Sequence, residues 1–273
     1  MKNEPSISLR EDSLTAKKVI NTLNELAPPS FSVLGDEEGL LLGDEDQPVN
    51  KVGVVWNLSP NILSLMAGDG VDFIITHTYP FLRRGVAKLD GYECLSDNAL
   101  FTNKLKKKLL RQKGIALYRV HSSWDNAVGG NNDALAAALE LRRVEKVAFG
   151  RVGSVKPLNL RAFSSFVKEK LGSPSLRFVG DPGAMVNRVM VAAGTGFLFP
   201  ELIEHCYQEG VDVLVSGDLV KKAAKRALEL GVFLIDAGAL ETEQPGMKAL
   251  TNKLRERGFK AVLYESGGFY EYV

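Results

Sequence analysis

Short apolar runs alternate along this chain with amphipathic stretches, and the alternation limits the possible folds more than any other feature. The runs are rich in β-branched residues, which favour strands, and the stretches between them have a helical period. Strands that alternate with helices are typical of βαβ units around a mostly parallel sheet. We therefore predict an α/β fold. The predicted strands are 51–57, 72–76, 115–120, 146–152, 188–193, 212–216, 232–236 and 260–264.

Two blocks of the sequence recur in the same order. GVDFIIT at 70–76 returns as GVDVLVS at 210–216, and GIAL at 114–117 returns as GVFL at 231–234. The repeated order favours an internal duplication, although GVD followed by apolar residues could also describe any strand that follows a helix. We therefore predict two similar, interlinked α/β lobes, each around a mostly parallel sheet, with a cleft between them. The lobes would be residues 1–143 and 144–273.

Charge and composition argue against several classes of function. The 273 residues include 34 basic and 33 acidic side chains, so no global field attracts nucleic acid or an anionic membrane. The two cysteines, Cys94 and Cys206, are far apart and lack CxxC spacing, which fits neither a disulfide framework nor a thiolate zinc site. No apolar run has the length of a signal-peptide core or a membrane span. We expect a cytoplasmic protein with no nucleic-acid or membrane partner.

Imidazole and carboxylate side chains follow the ends of three predicted strands. They are His77 after 72–76, His121 and Asp125 after 115–120, and Glu241 and Glu243 after 232–236. In open parallel sheets, ligands bind beyond the carboxyl ends of the strands, because loops and helix N-termini converge there. Imidazole and carboxylate together suit a divalent ion such as zinc, manganese or iron, which could activate water.

Each of these residues also has an ordinary structural explanation. A histidine that closes a strand, such as His77 or His121, is often only a hydrogen-bonded loop residue. Asp125 could simply begin the next loop, and Glu243 could stabilise the positive end of the following helix. His205, in a predicted helix, is more typical of a surface or packing residue.

Two glycine-containing turns are candidates for binding a ligand. In GGNND at 129–133 the glycines allow close backbone approach, and Asn131 or Asn132 can cap the helix predicted for 133–141. A flexible turn explains this pattern equally well. The turn GTG at 194–196 is only a weak match to a phosphate loop, since it lacks the Walker lysine and the dinucleotide fingerprint.

Five stretches occur in the order of a known family and span most of the chain. They are DEEGLLLG at 36–43, DFIITHTYP at 72–80, HSSWDNAVGGNNDALA at 121–136, GRVG at 150–153 with Gly180 and Asp181, and the segment from DVLVSGDL to LIDAGALETE at 212–243. The HxxxDxxxGGxND string and the spacing from GVDVLVSGD to IDAG are the most specific parts. The chain resembles the GTP cyclohydrolase I type 2 homologue family, also described as Ngg-one-interacting-factor-three-like.

The resemblance implies a two-lobed α/β protomer that assembles into a homohexameric ring, with a pair of divalent metals in the cleft of each subunit. The family takes its ligands from a His-His-Pro motif, from the aspartate of His-Thr-x-x-Asp and from a C-terminal His-x-x-x-Glu. In this sequence the matching metal ligands are His77, Asp125 and Glu243. Together with His121, these residues could still form one metal site.

Several of the family's histidines are absent from this chain. The second histidine of the first motif falls on Thr78, where Tyr79 is inserted before Pro80, and the C-terminal histidine falls on Ala239. Lys222 stands where family members often carry another histidine. Because missing imidazoles weaken metal binding, we expect at most one zinc, manganese or iron ion, and the alternative is no ion at all. Among the remaining carboxylates, Glu241 is an alternative ligand.

Two functions of different classes follow from this set of residues. The first is a metal-assisted hydrolase of a nucleotide or similar small molecule, with Glu243 and His121 as the catalytic residues. The second is a non-catalytic oligomeric scaffold or metal-handling protein with a degenerate metal site. The absent histidines favour the second function, whereas the retained acid and imidazole positions favour the first.

Overall fold

The computed structural model describes residues 14–82, 88–89, 92–93, 97–147 and 149–267. Cys94 lies outside these residues, and Cys206 is a buried free thiol. The helices are α1 Ala16–Leu26, α2 Pro60–Gly68, α3 Asp97–Lys113, α4 Ser122–Asn126, α5 Asn131–Ala138, α6 Leu160–Leu171, α7 Pro200–Gln208, α8 Lys221–Leu230 and α9 Ala239–Glu256. No helix in the described part of the chain is long and apolar enough to cross a membrane.

The strands form two large sheets and a small hairpin. They are β1 Gly39–Leu42, β2 Val52–Val55, β3 Phe73–Thr76, β4 Lys88–Leu89, β5 Tyr92–Glu93, β6 Ala116–Arg119, β7 Arg142–Val147, β8 Gly150–Asn159, β9 Arg177–Val179, β10 Met185–Val191, β11 Val213–Ser216, β12 Phe233–Asp236 and β13 Ala261–Tyr264. The first sheet has the order β1-β6-β3-β2-β13, the second has the order β7-β8-β10-β11-β12-β9, and β4 pairs with β5.

Parallel strands form the centre of each sheet. In the first sheet β6, β3, β2 and β13 run parallel, and only β1 is antiparallel to its neighbour. In the second sheet β10, β11 and β12 run parallel, whereas β7, β8 and β9 pair antiparallel at the flanks. The predicted α/β class with two lobes is confirmed.

The central strands are buried on both faces, which explains their continuous apolar runs. Phe73 and Ile75 of β3 belong to one core cluster and Ile74 to another, because successive side chains point to opposite faces. In the second sheet Val213 and Leu214 of β11 likewise belong to two different core clusters, one on each face. Helices therefore cover both sides of each sheet.

The aspartates of the two GVD blocks have equivalent positions. Asp72 precedes β3 and accepts hydrogen bonds from the backbone N–H groups of Asn50 and Lys51, just before β2. Asp212 precedes β11 and accepts from the N–H groups of Asn187 and Arg188 in β10, each at 2.8 Å. Each carboxylate thus accepts from two consecutive backbone N–H groups in or just before the neighbouring strand, so the repeated sequence corresponds to repeated structure.

The chain crosses from the second sheet back to the first at its C-terminal end. Strand β13 pairs in parallel with β2, and Met247, Leu250 and Leu254 of α9 pack in the core of the first sheet. The two sheets are therefore interlinked by α9 and β13. The proposed lobe boundary at 143/144 stays a prediction, and the structure places 261–264 with the strands of the N-terminal lobe.

One predicted strand is wrong, and four strands, β1, β4, β5 and β9, were not predicted. The range 146–152 contains a chain reversal, since Val147 of β7 pairs with Gly150 of β8. Strands β1 and β9 lie at sheet edges and are only partly buried. Arg177 of β9 is exposed and interrupts any apolar run, whereas β1 (GLLL) is a short apolar run that was not counted among the predicted strands.

Candidate functional site

His77 directly follows β3 and is held in one orientation. Its side chain is 1% exposed, and its Nδ1 lies 2.9 Å from the carbonyl oxygen of Val120. Because a carbonyl oxygen only accepts, Nδ1 carries a hydrogen and donates it. The other ring nitrogen, Nε2, is therefore left for a ligand, and a hydrogen bond of this kind from Nδ1 is usual for a histidine that binds a metal.

Two carboxylates face that nitrogen, one of them partly buried and the other buried. Asp125 Oδ1 of α4 lies 3.5 Å from His77 Nε2, and Glu243 Oε1 of α9 lies 3.2 Å from it. Atoms that share one tetrahedral zinc ion at about 2.1 Å are separated by roughly 3.4 Å. The structure thus brings the three predicted ligands together, and their role in metal binding stays a prediction.

The three groups change each other's protonation. Burial alone would lower the pKa of His77, but the charges of Glu243 and Asp125 raise it to about 9. Burial and the charge of Glu243 raise the pKa of Asp125 to about 6, although His77 opposes this. Burial would raise the pKa of Glu243, but His77 and a hydrogen bond from Trp56 lower it. At neutral pH His77 is therefore protonated, and its Nε2 lies next to the carboxylates of both Asp125 and Glu243.

Glu243 is positioned by a tryptophan and a glycine. Trp56 Nε1, at the end of β2, donates a hydrogen bond to Glu243 Oε2. Gly194 has a φ of +79°, and a Cβ at this position would lie 2.1 Å from Glu243 Oε1. The turn at 194–196, a weak match to a phosphate loop, thus makes room for this carboxylate.

The asparagines of the GGNND turn do not cap α5 with their side chains, because the residue at the cap is Gly130 and no side-chain cap bond forms. Asn131 Nδ2 instead donates to Asp125 Oδ1 at 2.7 Å and lies 3.3 Å from His77 Nε2. Asn132 Nδ2 donates to the backbone oxygen of Asp125 at 2.9 Å. Both amides therefore position Asp125.

Asn131 also contains a buried atom without a partner. Its Oδ1 makes no hydrogen bond within the described part of the chain. A Cβ on Gly246 of α9 would lie 1.9 Å from this oxygen and 2.5 Å from Asn131 Cα. Gly246 therefore allows α5 and α9 to approach closely beside the site.

His121 lies at the N-terminus of α4, next to His77. The centroids of the two rings are 4.9 Å apart. One set of ligand atoms from His77, His121 and Asp125 lies within 4.8 Å of one another. Glu243 is not in that set, although its Oε1 contacts His77. The described side chains thus make His121 a ligand candidate beside Glu243, the residue that matches the family's motif.

The positions that lack the family's histidines provide few atoms that could bind a metal ion. Thr78 Oγ1 donates to Asn57 Oδ1 at 2.9 Å, and Ala239 has no donor atom. Lys222 is exposed on α8. Burial, with the nearby Asp236, raises the pKa of Glu241, and Glu241 is in no group of three described side chains that could hold an ion.

Four residues at the site had no role in the sequence analysis. They are Asp36, Glu38, Trp56 and Arg119. Asp36 and Glu38 belong to the DEEGLLLG stretch, and its acidic residues were the one feature of the sequence that could have indicated a role at the site. Trp56 and Arg119 lie in apolar strand runs, and nothing in their local sequence indicates a polar contact.

A family model described as Duf34/NIF3 (NGG1p interacting factor 3) matches residues 14–266. The chain is 23% identical over 249 residues to a GTP cyclohydrolase 1 type 2 homolog of Clostridium perfringens, covering 88% of this chain and 90% of the relative. A protein of the same name from Methanocaldococcus jannaschii is 28% identical over 239 residues, covering 86% and 92%. A solved structure of a Bacillus cereus protein related to NIF3 has a TM-score of 0.79 at 18% identity, covering 95% of this chain and 99% of that chain. Since the family model spans nearly all of the described sequence, the resemblance is confirmed and the chain belongs to the Duf34/NIF3 family.

Proposed function

We propose that the cleft holds one divalent ion and that the protein is a metal-assisted hydrolase of a nucleotide or similar small molecule. The observation that carries this proposal is that His77 Nε2 faces Asp125 and Glu243 at 3.5 and 3.2 Å, separations that suit ligands of one ion. An imidazole nitrogen and two carboxylate oxygens suit zinc, manganese or iron, so the residues present fit such an ion.

The chain's own residues would bind and orient the substrate and move protons. A divalent ion held there would supply Lewis-acid chemistry, since it polarises a substrate oxygen and makes water more acidic. His121 is 36% exposed and His77 is 1% exposed, so a small molecule would reach the site from the side of His121. His121 and Glu243 are the groups that can take up or release a proton there.

The nature of the substrate is suggested by the relatives. Proteins named as homologs of GTP cyclohydrolase cover most of this chain, so nucleotides are the first compounds to test. The word homolog in these names describes similarity to an enzyme, which is why hydrolysis stays part of the proposal.

A second candidate function is a non-catalytic scaffold or metal-handling protein. It is favoured by Thr78, whose hydroxyl is committed to Asn57, and by Ala239, which has no donor. A site with fewer ligands binds its ion more weakly, which would suit transfer of the ion better than catalysis.

We also propose a homo-oligomer, with a hexamer expected from the family resemblance, and a cytoplasmic location. Large apolar side chains exposed on and beside α7 support an oligomer, among them Leu198, Phe199 and Tyr207. Light scattering should find a species several times larger than the 29.8 kDa chain. A monomer at micromolar concentration would contradict the assembly proposal.

The metal proposal is tested with untagged protein dialysed against chelator and then against metal-free buffer. Titration with zinc and manganese should give one bound equivalent per chain, and plasma mass spectrometry counts it. His77→Ala and Asp125→Ala should abolish the equivalent, whereas His205→Ala, on α7, should retain it. The loaded protein is then incubated with nucleoside triphosphates. An ion bound without turnover would favour the metal-handling function, and no bound ion in the wild-type protein would overturn both.

A further inference from the structure

We propose that Asp36 is a positioning residue that directs His121 Nε2 toward the ion, so that His121 serves as a ligand in place of an imidazole missing at Thr78 or Ala239. This inference rests on the proposed metal site. It assigns ligation to His121, rather than proton transfer, and leaves Glu243 as the group that exchanges protons with the substrate.

Nε2 is the ring nitrogen of His121 that is left to bind an ion. His121 Nδ1 lies 2.7 Å from Asp36 Oδ2. A carboxylate oxygen accepts, so Nδ1 carries a hydrogen and Nε2 is left to bind a ligand. A carboxylate behind an imidazole also makes the ring nitrogen opposite a better metal ligand.

Asp36 is itself held in place by hydrogen bonds. Arg119 Nη1 donates to Asp36 Oδ1 at 2.6 Å, and Ser122 Oγ donates to Asp36 Oδ2 at 2.5 Å. The backbone N–H of Ser122 also donates to Asp36 Oδ2, at 3.2 Å. The carboxylate of Asp36 is therefore fixed in one orientation by donors other than His121.

Arg119 connects the residues that position the two imidazoles. Arg119, a buried residue at the end of β6, donates through Nε to the backbone oxygen of His77 at 3.1 Å and also binds Asp36. Glu38 Oε1 accepts from the backbone N–H of His121 at 2.7 Å. One network thus sets the positions of both rings, which lie 4.9 Å apart.

Asp36, Glu38 and His121 could also be regarded as a second metal group, since their ligand atoms lie within 4.8 Å of one another. The hydrogen bonds argue against this. Both oxygens of Asp36 already accept from donors, one of which is the charged guanidinium of Arg119. A cation in that place would be repelled by Arg119, so these residues act as a support for His121.

Cobalt(II) titration of the full chain tests this inference, because the visible absorption of cobalt reports the number and kind of its ligands. Asp36→Asn, which keeps the shape and removes the charge, should raise the dissociation constant 10- to 100-fold. His121→Ala should raise it at least as much and change the spectrum. Asp72→Asn is the matched control, since Asp72 caps strands of the same sheet away from the site, and it should leave affinity and spectrum unchanged.

The double variant separates positioning from general damage. Once His121 is alanine, Asp36→Asn should cost no further affinity, because Asp36 acts through His121. Additive losses would overturn the inference, as would wild-type affinity and spectrum in His121→Ala. If Asp36→Asn does not fold because Arg119 loses its partner, His121→Ala alone decides between these outcomes. Failure of the wild-type protein to bind cobalt would instead contradict the metal site itself.

Discussion

The carboxylate of Glu243 occupies the space that a side chain at residue 194 would fill. An ideal Cβ on Gly194 would lie 2.1 Å from Glu243 Oε1. This oxygen also contacts His77 Nε2, so the turn after β10 in the second sheet limits the position of a group that faces the end of β3 in the first. The site therefore depends on how the two lobes meet.

Gly194→Ala should weaken metal binding by pushing Glu243 from its place. Alanine in the left-handed region also costs about 1 to 2 kcal/mol of stability, whatever surrounds it. Gly210→Ala is the control, because Gly210 has a φ of +62° with nothing within 4 Å of a Cβ. Gly194→Ala should lose at least as much stability as Gly210→Ala in urea denaturation, and only Gly194→Ala should lose zinc affinity in calorimetry. Equal affinities in the two variants would show that Glu243 does not contribute to binding.

Gly246→Ala should destabilise the protein by about 1 to 3 kcal/mol, the usual effect of overpacking a close contact. The new methyl group would meet the backbone Cα of Asn131 at 2.5 Å, and a backbone atom cannot move aside as a flexible side chain can. Gly68→Ala at the end of α2 has open space and should change stability little or raise it slightly. Thermal unfolding of the metal-free proteins measures both. If Gly246→Ala left the stability unchanged, α5 and α9 would not be in close contact.

Metal affinity should rise with pH. The pKa of His77 is raised to about 9 without metal, so below that pH a proton occupies the ring and must leave before Nε2 can bind. The dissociation constant should fall about tenfold per pH unit between 7 and 9, then level off. The dissociation constant should change more steeply below about pH 6, where Asp125 also takes up a proton. Calorimetry at several pH values measures this, and a flat profile would contradict His77 as a ligand.

The metal-free protein should show the opposite trend in stability. A histidine whose pKa rises from 6.5 to about 9 on folding stabilises the native state fully below 6.5, and this contribution is lost as pH rises through 9. The midpoint of urea denaturation should therefore fall between pH 6.5 and 9. His77→Gln should flatten this part of the profile. A fall of the same size in the variant would assign it to other groups.

Restoring the missing histidines should raise the number of bound ions toward two. Thr78→His with Ala239→His supplies imidazoles at both positions, provided that the carboxylates lie where the family resemblance implies. Lys225→His, which adds a histidine on the exposed face of α8, is the control and should change nothing. Plasma mass spectrometry after dialysis counts the ions. An unchanged count in the double variant would show that the cleft has a different arrangement.

The sequence by itself determined the central strands and three positions of the site. The runs at 72–76 and 212–216 form buried parallel strands because a continuous apolar segment between helices has few other stable solutions. His77 and Asp125 follow strand ends, where parallel sheets expose their loops, so local pattern was enough to place them at one edge. The reversal between Val147 and Gly150 was missed, because it falls inside a run that looks continuous.

Only the tertiary structure decided what each site residue contacts. His121 binds Asp36 across 85 positions of sequence, and Trp56 binds Glu243 across 187. The return of β13 to the first sheet is a pairing of the same long-range kind. The reason is physical: periodicity records which face of an element is buried, whereas a hydrogen bond between distant segments depends on how whole elements pack. Asp36 and Trp56 therefore acquire their roles only when the two sheets and α9 come together.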